Sequence, residues 1–225
     1  DRTVKIVAGN DELVVSAPQI FINTGAEPII PDIPGVDKPF VYTSTELLDR
    51  MTQPKQLAII GGGYIGLEFA STYAKLGTKV TVFERGDALL AREDPAIARA
   101  ATEALQAQGI EIVFSVDVTA IEGESTVTIR TVNHDDYTGY DAVLMATGRR
   151  PETMSLNLPA AGVATDERGA IVVDETLRTS RSHIWAMGDV TGGPQFTYAS
   201  LDDFRIVRSQ LLGDGLYTRA KQKTL

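Results

Sequence analysis

Leu57-Ala58-Ile59-Ile60-Gly61-Gly62-Gly63-Tyr64-Ile65-Gly66-Leu67-Glu68 is the stretch whose reading decides the fold. Its four apolar residues read as a strand, its glycines as a loop and its end as the first turn of a helix. Gly61, Gly63 and Gly66 stand in the G-x-G-x-x-G spacing of a dinucleotide site. Each glycine has its own task in that reading. Gly61 turns the chain out of the strand, Gly63 lets a pyrophosphate approach backbone without meeting a Cβ, and Gly66 lets helix and strand pack closely. The unpaired N–H groups of the first helical turn, at the positive end of the helix dipole, then hold the phosphates.

The spacing alone arises often by chance, so its surroundings carry the weight. Ala70, Tyr73, Ala74 and Leu76 continue a helical pattern, and Gly77 stands where a helix stops. Lys79-Val80-Thr81-Val82-Phe83 follows as a second strand and ends at Glu84. That acid lies 18 residues beyond Gly66, near the ~20 expected of a carboxylate that bonds ribose hydroxyls. A tight strand-to-helix turn with no ligand is the alternative the bare motif leaves open.

Outward from this centre the chain alternates. Asp94 suits a helix N-cap, Pro95 the first helical position and Gly109 the stop, with Ile97, Ala101, Ala104, Leu105 and Gln108 on one face. A strand at 110–114 completes β-α-β-α-β, the order of a parallel sheet covered by helices. Residues 118–121 and 127–132 read as an antiparallel excursion, and 140–146 as a buried strand ending at Thr147-Gly148. Upstream, 3–7 and 20–23 are strand-like, with Gly9-Asn10-Asp11-Glu12 as a turn between them. Pro28, Pro31, Pro34 and Pro39 make 26–39 a connector, and 45–50 is a short helix, so a domain boundary is expected near residue 53.

Downstream, 170–174 and 184–189 are strand-like, and 198–212 is a helix stopped by Gly213. The adjacent Asp202 and Asp203 read as a solvated face, because neighbours in a helix do not face one another. Thr24-Gly25-Ala26-Glu27-Pro28 and Thr147-Gly148-Arg149-Arg150-Pro151 share T-G-x-x-P after aliphatic strands, as two related units would.

Composition bounds the function. The 225 residues are 43% hydrophobic and 23% charged, enough for one large or two modest globular domains. A formal charge of −9 without a basic stripe argues against nucleic acid or an anionic membrane as partner. No apolar run approaches the ~20 residues that span a bilayer, so a cytoplasmic location is expected. The absence of cysteine removes disulfides, thiolate metal sites and a cysteine nucleophile from this segment. His134, in a polar turn, and His183, before a strand, read as structural or surface residues, and no metal site is expected.

Taken together, Thr24-Gly25, the glycine loop, Thr147-Gly148 and Gly188-Asp189, in that order, resemble the pyridine nucleotide–disulfide oxidoreductases. These are flavoproteins with two dinucleotide-binding domains, and include glutathione reductase, lipoamide dehydrogenase and mercuric reductase. Residues 184–193 (IWAMGDVTGG), 195–198 (QFTY) and 200–208 (SLDDFRIVR) look most like the branch of bacterial reactive-chlorine-resistance flavoproteins.

The resemblance implies an α/β architecture in which a Rossmann-like NAD(H)-binding domain, 54–149, is inserted between FAD-domain segments 1–53 and 150–225. It implies that Gly61, Gly62, Gly63, Tyr64, Ile65 and Gly66 hold the NADH, with Glu84 on the adenosine ribose. Val118 would lie on the adenine side and Gly148 would meet the nucleotide through its backbone. Tyr64 matches a gating aromatic over the nicotinamide pocket, and Glu68, the catalytic candidate, an acid near nicotinamide and flavin. Thr24 and Gly25 would lie near the adenosine half of FAD, Asp189 near its ribitol or phosphates, and Thr197 near the flavin itself. On residue type alone, Tyr64 is also a packing aromatic, Glu68 a helix-dipole partner and Asp189 an N-cap.

A carboxylate at Glu84 accepts from both ribose hydroxyls and repels a 2′-phosphate, which favours NADH over NADPH. Arg85 pulls the other way, but the second arginine of the NADPH-preferring members would fall at Ala91. The family's N-terminal FAD glycine loop, redox cysteine pair and C-terminal dimerisation domain with its histidine have no counterpart here. The expectation is therefore a central fragment, with only part of an FAD site, of an FAD-dependent oxidoreductase. Its parent would reduce a disulfide or metal ion and form a homodimer through the absent domain. A free-standing NAD(H)-binding module, and a cysteine-poor NADH oxidase or ferredoxin-reductase-like flavoprotein, are the alternatives.

Overall fold

The computed structural model describes residues 2–124, 126–132 and 135–222; His134 lies outside them. The chain forms two compact units, divided after Glu27 and again after Gly148. The first unit takes both ends of the chain and the second takes Pro28–Gly148.

The first unit opens on an antiparallel hairpin of β1 (Thr3–Ala8) and β2 (Asp11–Ser16). The expected four-residue turn is only Gly9-Asn10. Gly9 takes φ +62°, while Asp11 and Glu12 join the return strand, where Glu12 meets Lys5 at 2.7 Å. β3 (Ile20–Ile22) and β4 (Ala26–Pro28) follow.

The second unit contains β5 (Val41–Tyr42), α1 (Ser44–Asp49), β6 (Gln56–Ile60), α2 (Tyr64–Lys75), β7 (Lys79–Phe83), α3 (Pro95–Gln106) and β8 (Glu111–Val113). After these come β9 (Val118–Gly123), β10 (Val127–Thr131), β11 (Tyr137–Tyr140) and β12 (Ala142–Met145). A five-stranded sheet in the order β5-β12-β6-β7-β8 has every neighbour parallel. An antiparallel sheet, β11-β10-β9, forms the excursion. Successive residues of a strand point to opposite faces. Leu57 and Ile59 therefore join Leu67, Ala70 and Leu105 of the helices, while Ala58 and Ile60 join Ile121, Val127 and Ile129 of the antiparallel sheet. Burial on both faces is why β6 is an unbroken apolar run.

Three expectations need correction in this unit. The stretch 28–53 is not apart from the parallel sheet: β5 extends that sheet beside β12, and Leu47 of α1 is fully buried in its core. The compact unit accordingly begins at Pro28. The single strand expected over 140–146 is two, with Asp141 between them, because its carboxylate turns aside to accept the N–H groups of Lys55 and Gln56, each at 2.9 Å. Finally, α3 is rotated from its expected face. Ala98 and Leu105 are buried, whereas Ile97 is 55% exposed.

The chain then returns to the first unit with β13 (Arg149–Pro151), α4 (Leu158–Ala161), β14 (Ile184–Ala186) and α5 (Thr197–Leu212). β13 pairs with β4, and β14 runs parallel to β3. Trp185 is fully buried on β14, stacked on Phe21 and bonded through Nε1 to Gln19 at 2.9 Å. Residues 170–174 form no ladder. Their N–H groups serve separate segments, Ile171 donating to Val190 and Val172 to Ala164.

The T-G-x-x-P repeat has a structural counterpart in each unit. In the first, Thr24 Oγ1 donates to the Glu152 carbonyl at 2.6 Å and the Glu152 N–H to the Gly25 carbonyl at 3.0 Å. In the second, Thr147 Oγ1 donates to the Ile29 carbonyl at 2.6 Å and the Ile29 N–H to the Gly148 carbonyl at 2.9 Å. Each Thr-Gly pair thus holds the residue that follows the other repeat's proline.

Candidate functional site

In the second unit, β7 and β8 continue from β6 on one side of the sheet while β12 lies on the other. The C-terminal end of β6 is therefore a topological switch point, the place where open α/β sheets take their ligands. The glycine loop lies there. Gly61 donates to the Phe83 carbonyl at 2.9 Å and takes φ +114°; a Cβ on it would stand 2.3 Å from the Ala146 carbonyl oxygen. A Cβ on Gly66 would stand 2.2 Å from the Gly61 carbonyl oxygen. On Gly62 it would meet the side chains of Leu89 and Glu84. Gly63 alone of the four faces open space. Three glycines close the turn and one leaves room above it.

The helix that starts there is left open. α1 carries a capping box of Thr43 and Glu46, and α3 is capped by Asp94, which accepts the Ala96 N–H at 2.7 Å. α2 follows Gly63 with no side-chain cap. A helix start without a side-chain cap presents backbone N–H groups at the positive end of the helix dipole, which attracts an anion.

Glu84 sits at the end of the neighbouring strand, half-buried. Its Oε2 accepts the Gly62 N–H at 2.7 Å and its Oε1 the Gly86 N–H at 2.6 Å. Two backbone donors fix the carboxylate, and each oxygen keeps a lone pair for a further donor. The sequence spacing pointed to Glu84; the two N–H groups that orient it had no signal in residue type.

The remaining expected residues of this unit lie as follows. Tyr64 is exposed, and its phenol donates to the carboxylate of Glu93. Ile65 is half-buried and Glu68 is exposed one turn further along α2. Val118 is half-buried on β9 against the core formed by Ile121 and Ile129. Gly148 takes φ +125° where β12 runs out. A cavity of about 370 Å³ bounded by Val36, Tyr42, Glu46 and Met145 contains none of these residues.

In the first unit, Thr24 and Gly25 are held by Glu152 as described, and Thr197 opens α5 at the surface. Asp189 lies in a 3-10 turn, Gly188–Thr191, that follows β14. That turn is anchored by a residue misread from sequence. Asp203 is 5% exposed, not solvated. Its Oδ2 accepts the Gly188 N–H at 2.9 Å and lies 3.7 Å from Arg219, while its Oδ1 accepts from Gln222 at 2.8 Å. Arg219 also donates to Thr191 Oγ1 at 2.7 Å. Asp202, beside it, accepts the Tyr217 hydroxyl, which raises the Tyr217 pKa. Helix neighbours do diverge here, but both find partners because residues 217–222 fold back along α5.

Residues 1–203 match the family described as Pyridine nucleotide-disulphide oxidoreductase. The chain belongs to this family. It is 47% identical to the probable pyridine nucleotide-disulfide oxidoreductase RclA of Escherichia coli (strain K12), over 96% of this chain and 49% of RclA. A mercuric reductase from Staphylococcus aureus is 38% identical over 95% of this chain and 39% of its own length. Among solved structures, the Cu(II) complex of the HOCl-induced flavoprotein disulfide reductase RclA from Escherichia coli superposes with a TM-score of 0.94 at 45% identity, covering 100% of this chain and 51% of that one. The chain thus spans about half the length of RclA. Its α/β fold, with a parallel sheet and an antiparallel one, is that of an oxidoreductase family whose members use FAD and a pyridine nucleotide. Among the described residues, no helix is long and apolar enough to cross a membrane.

Proposed function

We propose that the whole protein is a cytoplasmic FAD-dependent oxidoreductase for which residues 54–149 bind NADH. The observation that carries the reading is the Glu84 carboxylate, fixed by the N–H groups of Gly62 and Gly86 beside the uncapped start of α2. A held carboxylate next to a helix N-terminus suits a ribose diol next to a pyrophosphate. The pyrophosphate would lie over the open side of Gly63, against the N–H groups of Tyr64, Ile65 and Gly66. Val118 would lie on the adenine side and the Gly148 backbone beside the nucleotide. Glu68 would stand near the reacting ring.

The first unit supplies part of an FAD site in this reading, through Thr24, Gly25, Asp189 and Thr197. Bound NADH and FAD would supply the hydride chemistry, so the chain's own work would be to bind, orient and exclude water. Electrons would then pass to a disulfide or a metal ion in a homodimeric parent. A mercuric reductase and a Cu(II)-bound RclA among the similar proteins support that class of acceptor.

Glu84→Ala tests the assignment. It should weaken NADH binding by about 1–3 kcal/mol, the worth of lost charge-assisted bonds. It should also narrow a preference for NADH over NADPH, since the repulsion of a 2′-phosphate goes with the charge. Titration of both cofactors by fluorescence measures this; equal NADH affinities in the two proteins would remove Glu84 from the site.

A further inference from the structure

The chain from 84 to 94, between β7 and α3, has neither helix nor strand, yet it is pinned to the glycine loop at successive points. Glu84 accepts the Gly62 N–H. Leu89, fully buried, packs where a Gly62 Cβ would go. Leu90, in the left-handed region at φ +50°, donates its N–H to the Gly62 carbonyl at 3.0 Å. Its own carbonyl accepts the Glu93 N–H at 2.8 Å, which fixes the backbone of Glu93. The Glu93 carboxylate then accepts the phenol of Tyr64, the first residue of α2.

We propose that Glu93 is a positioning residue of the dinucleotide site, bracing the ribose-side loop against the start of the phosphate-binding helix through Tyr64. The proposal rests on the dinucleotide reading of the glycine loop. A ligand reaching from the α2 N–H groups to Glu84 spans the same two elements that the Tyr64–Glu93 bond ties. The bonds to Gly62 hold the near part of the loop, at 84–90, against the glycine loop. The side-chain bond holds its far part, which otherwise ends on the exposed residues 91–93. Because the bond is itself exposed, it adds little to folding, and its effect falls on how well the two walls are set before the ligand arrives.

The test uses the full-length protein, titrated with NADH and with ADP-ribose, which lacks the nicotinamide. Glu93→Ala should weaken both by the same factor, about three- to tenfold. Tyr64→Phe should do likewise, and the double variant should lose no more than either alone. Glu93→Gln keeps an acceptor for the phenol and should restore binding, which a merely lost charge would not allow. Unchanged affinity in Glu93→Ala, additive losses in the double variant, or a loss confined to NADH would each overturn the brace while leaving the dinucleotide site standing. An unaltered protein that binds neither ligand would overturn the dinucleotide reading itself, and the brace with it.

Discussion

At the end of β6 the glycine loop and its acid are built from residues close in sequence: Gly61 to Gly66, then Glu84 and Gly86 on the adjacent strand end. At the end of β14, Gly188 and Asp189 follow an apolar strand in the same manner, but the Gly188 N–H is taken by Asp203, which in turn holds Gln222 and faces Arg219. The first leaves its helix without a side-chain cap and fixes its acid with backbone. The second spends a buried acid on securing its own turn, with partners drawn from up to residue 222. A turn closed by tight backbone approach announces itself as glycine; a turn held by a distant carboxylate does not.

Substituting Gly61 should break the first site most severely. An alanine there would combine an unfavourable φ of +114° with a Cβ 2.3 Å from the Ala146 carbonyl oxygen, which is backbone and cannot step aside. The two effects together should cost about 4 kcal/mol. Denaturant unfolding of the variant would read the loss, and a change below about 1 kcal/mol would mean that the loop is far looser than its contacts imply.

Asp203→Ala is the matching cut in the first unit. It removes the acceptor of Gly188 and Gln222 and leaves Arg219 without its charge partner, at about 3 kcal/mol. Asp203→Asn should fall between, since an amide oxygen still accepts the Gly188 N–H. Urea midpoints for the pair of variants would decide it. Near-zero losses would return Asp203 to the solvated face that helix geometry alone suggests.

The contrast also explains what was legible in the sequence. The parallel sheet could be read because strands buried on both faces are unbroken apolar runs, and α2 because glycines bound it at both ends. The place of Glu84 at the end of β7 could be read because its spacing is set by one helix and one strand. Ile97 misled because apolar residues on a short helix do not fix its rotation; Ala98 and Leu105 turn inward instead. For residues 28–53 the prolines mark a connector without saying which core it joins, and Leu47 decides that only through tertiary packing. Asp203 and Glu93 were invisible for one reason: their partners lie 15 to 29 residues away, beyond any local pattern.

The smallest expected effect comes from the repeat itself. Glu27 and Arg150 hold equivalent places in the two T-G-x-x-P segments and pair at 2.6 Å in the first unit. Glu152 joins them. The bond to Arg150, helped by one from Glu152, holds the Glu27 pKa below its ordinary value, while sharing with Glu27 pushes the Glu152 pKa up. The signs oppose. Glu152 favours the fold while it is protonated, and that contribution is lost as pH rises through its raised pKa. Glu27 favours the fold while ionised, and loses that as pH falls through its lowered pKa. Both carboxylates are half-buried and in reach of water, so stability should scarcely move, but carboxyl titration by NMR should separate them, Glu152 above and Glu27 below an ordinary glutamate. Glu152→Gln should leave one titration in place of two, with Glu27 still held low by Arg150. Should Glu27 then titrate as an ordinary glutamate, the Arg150 bond would be too weak to tie the two halves of the repeat together.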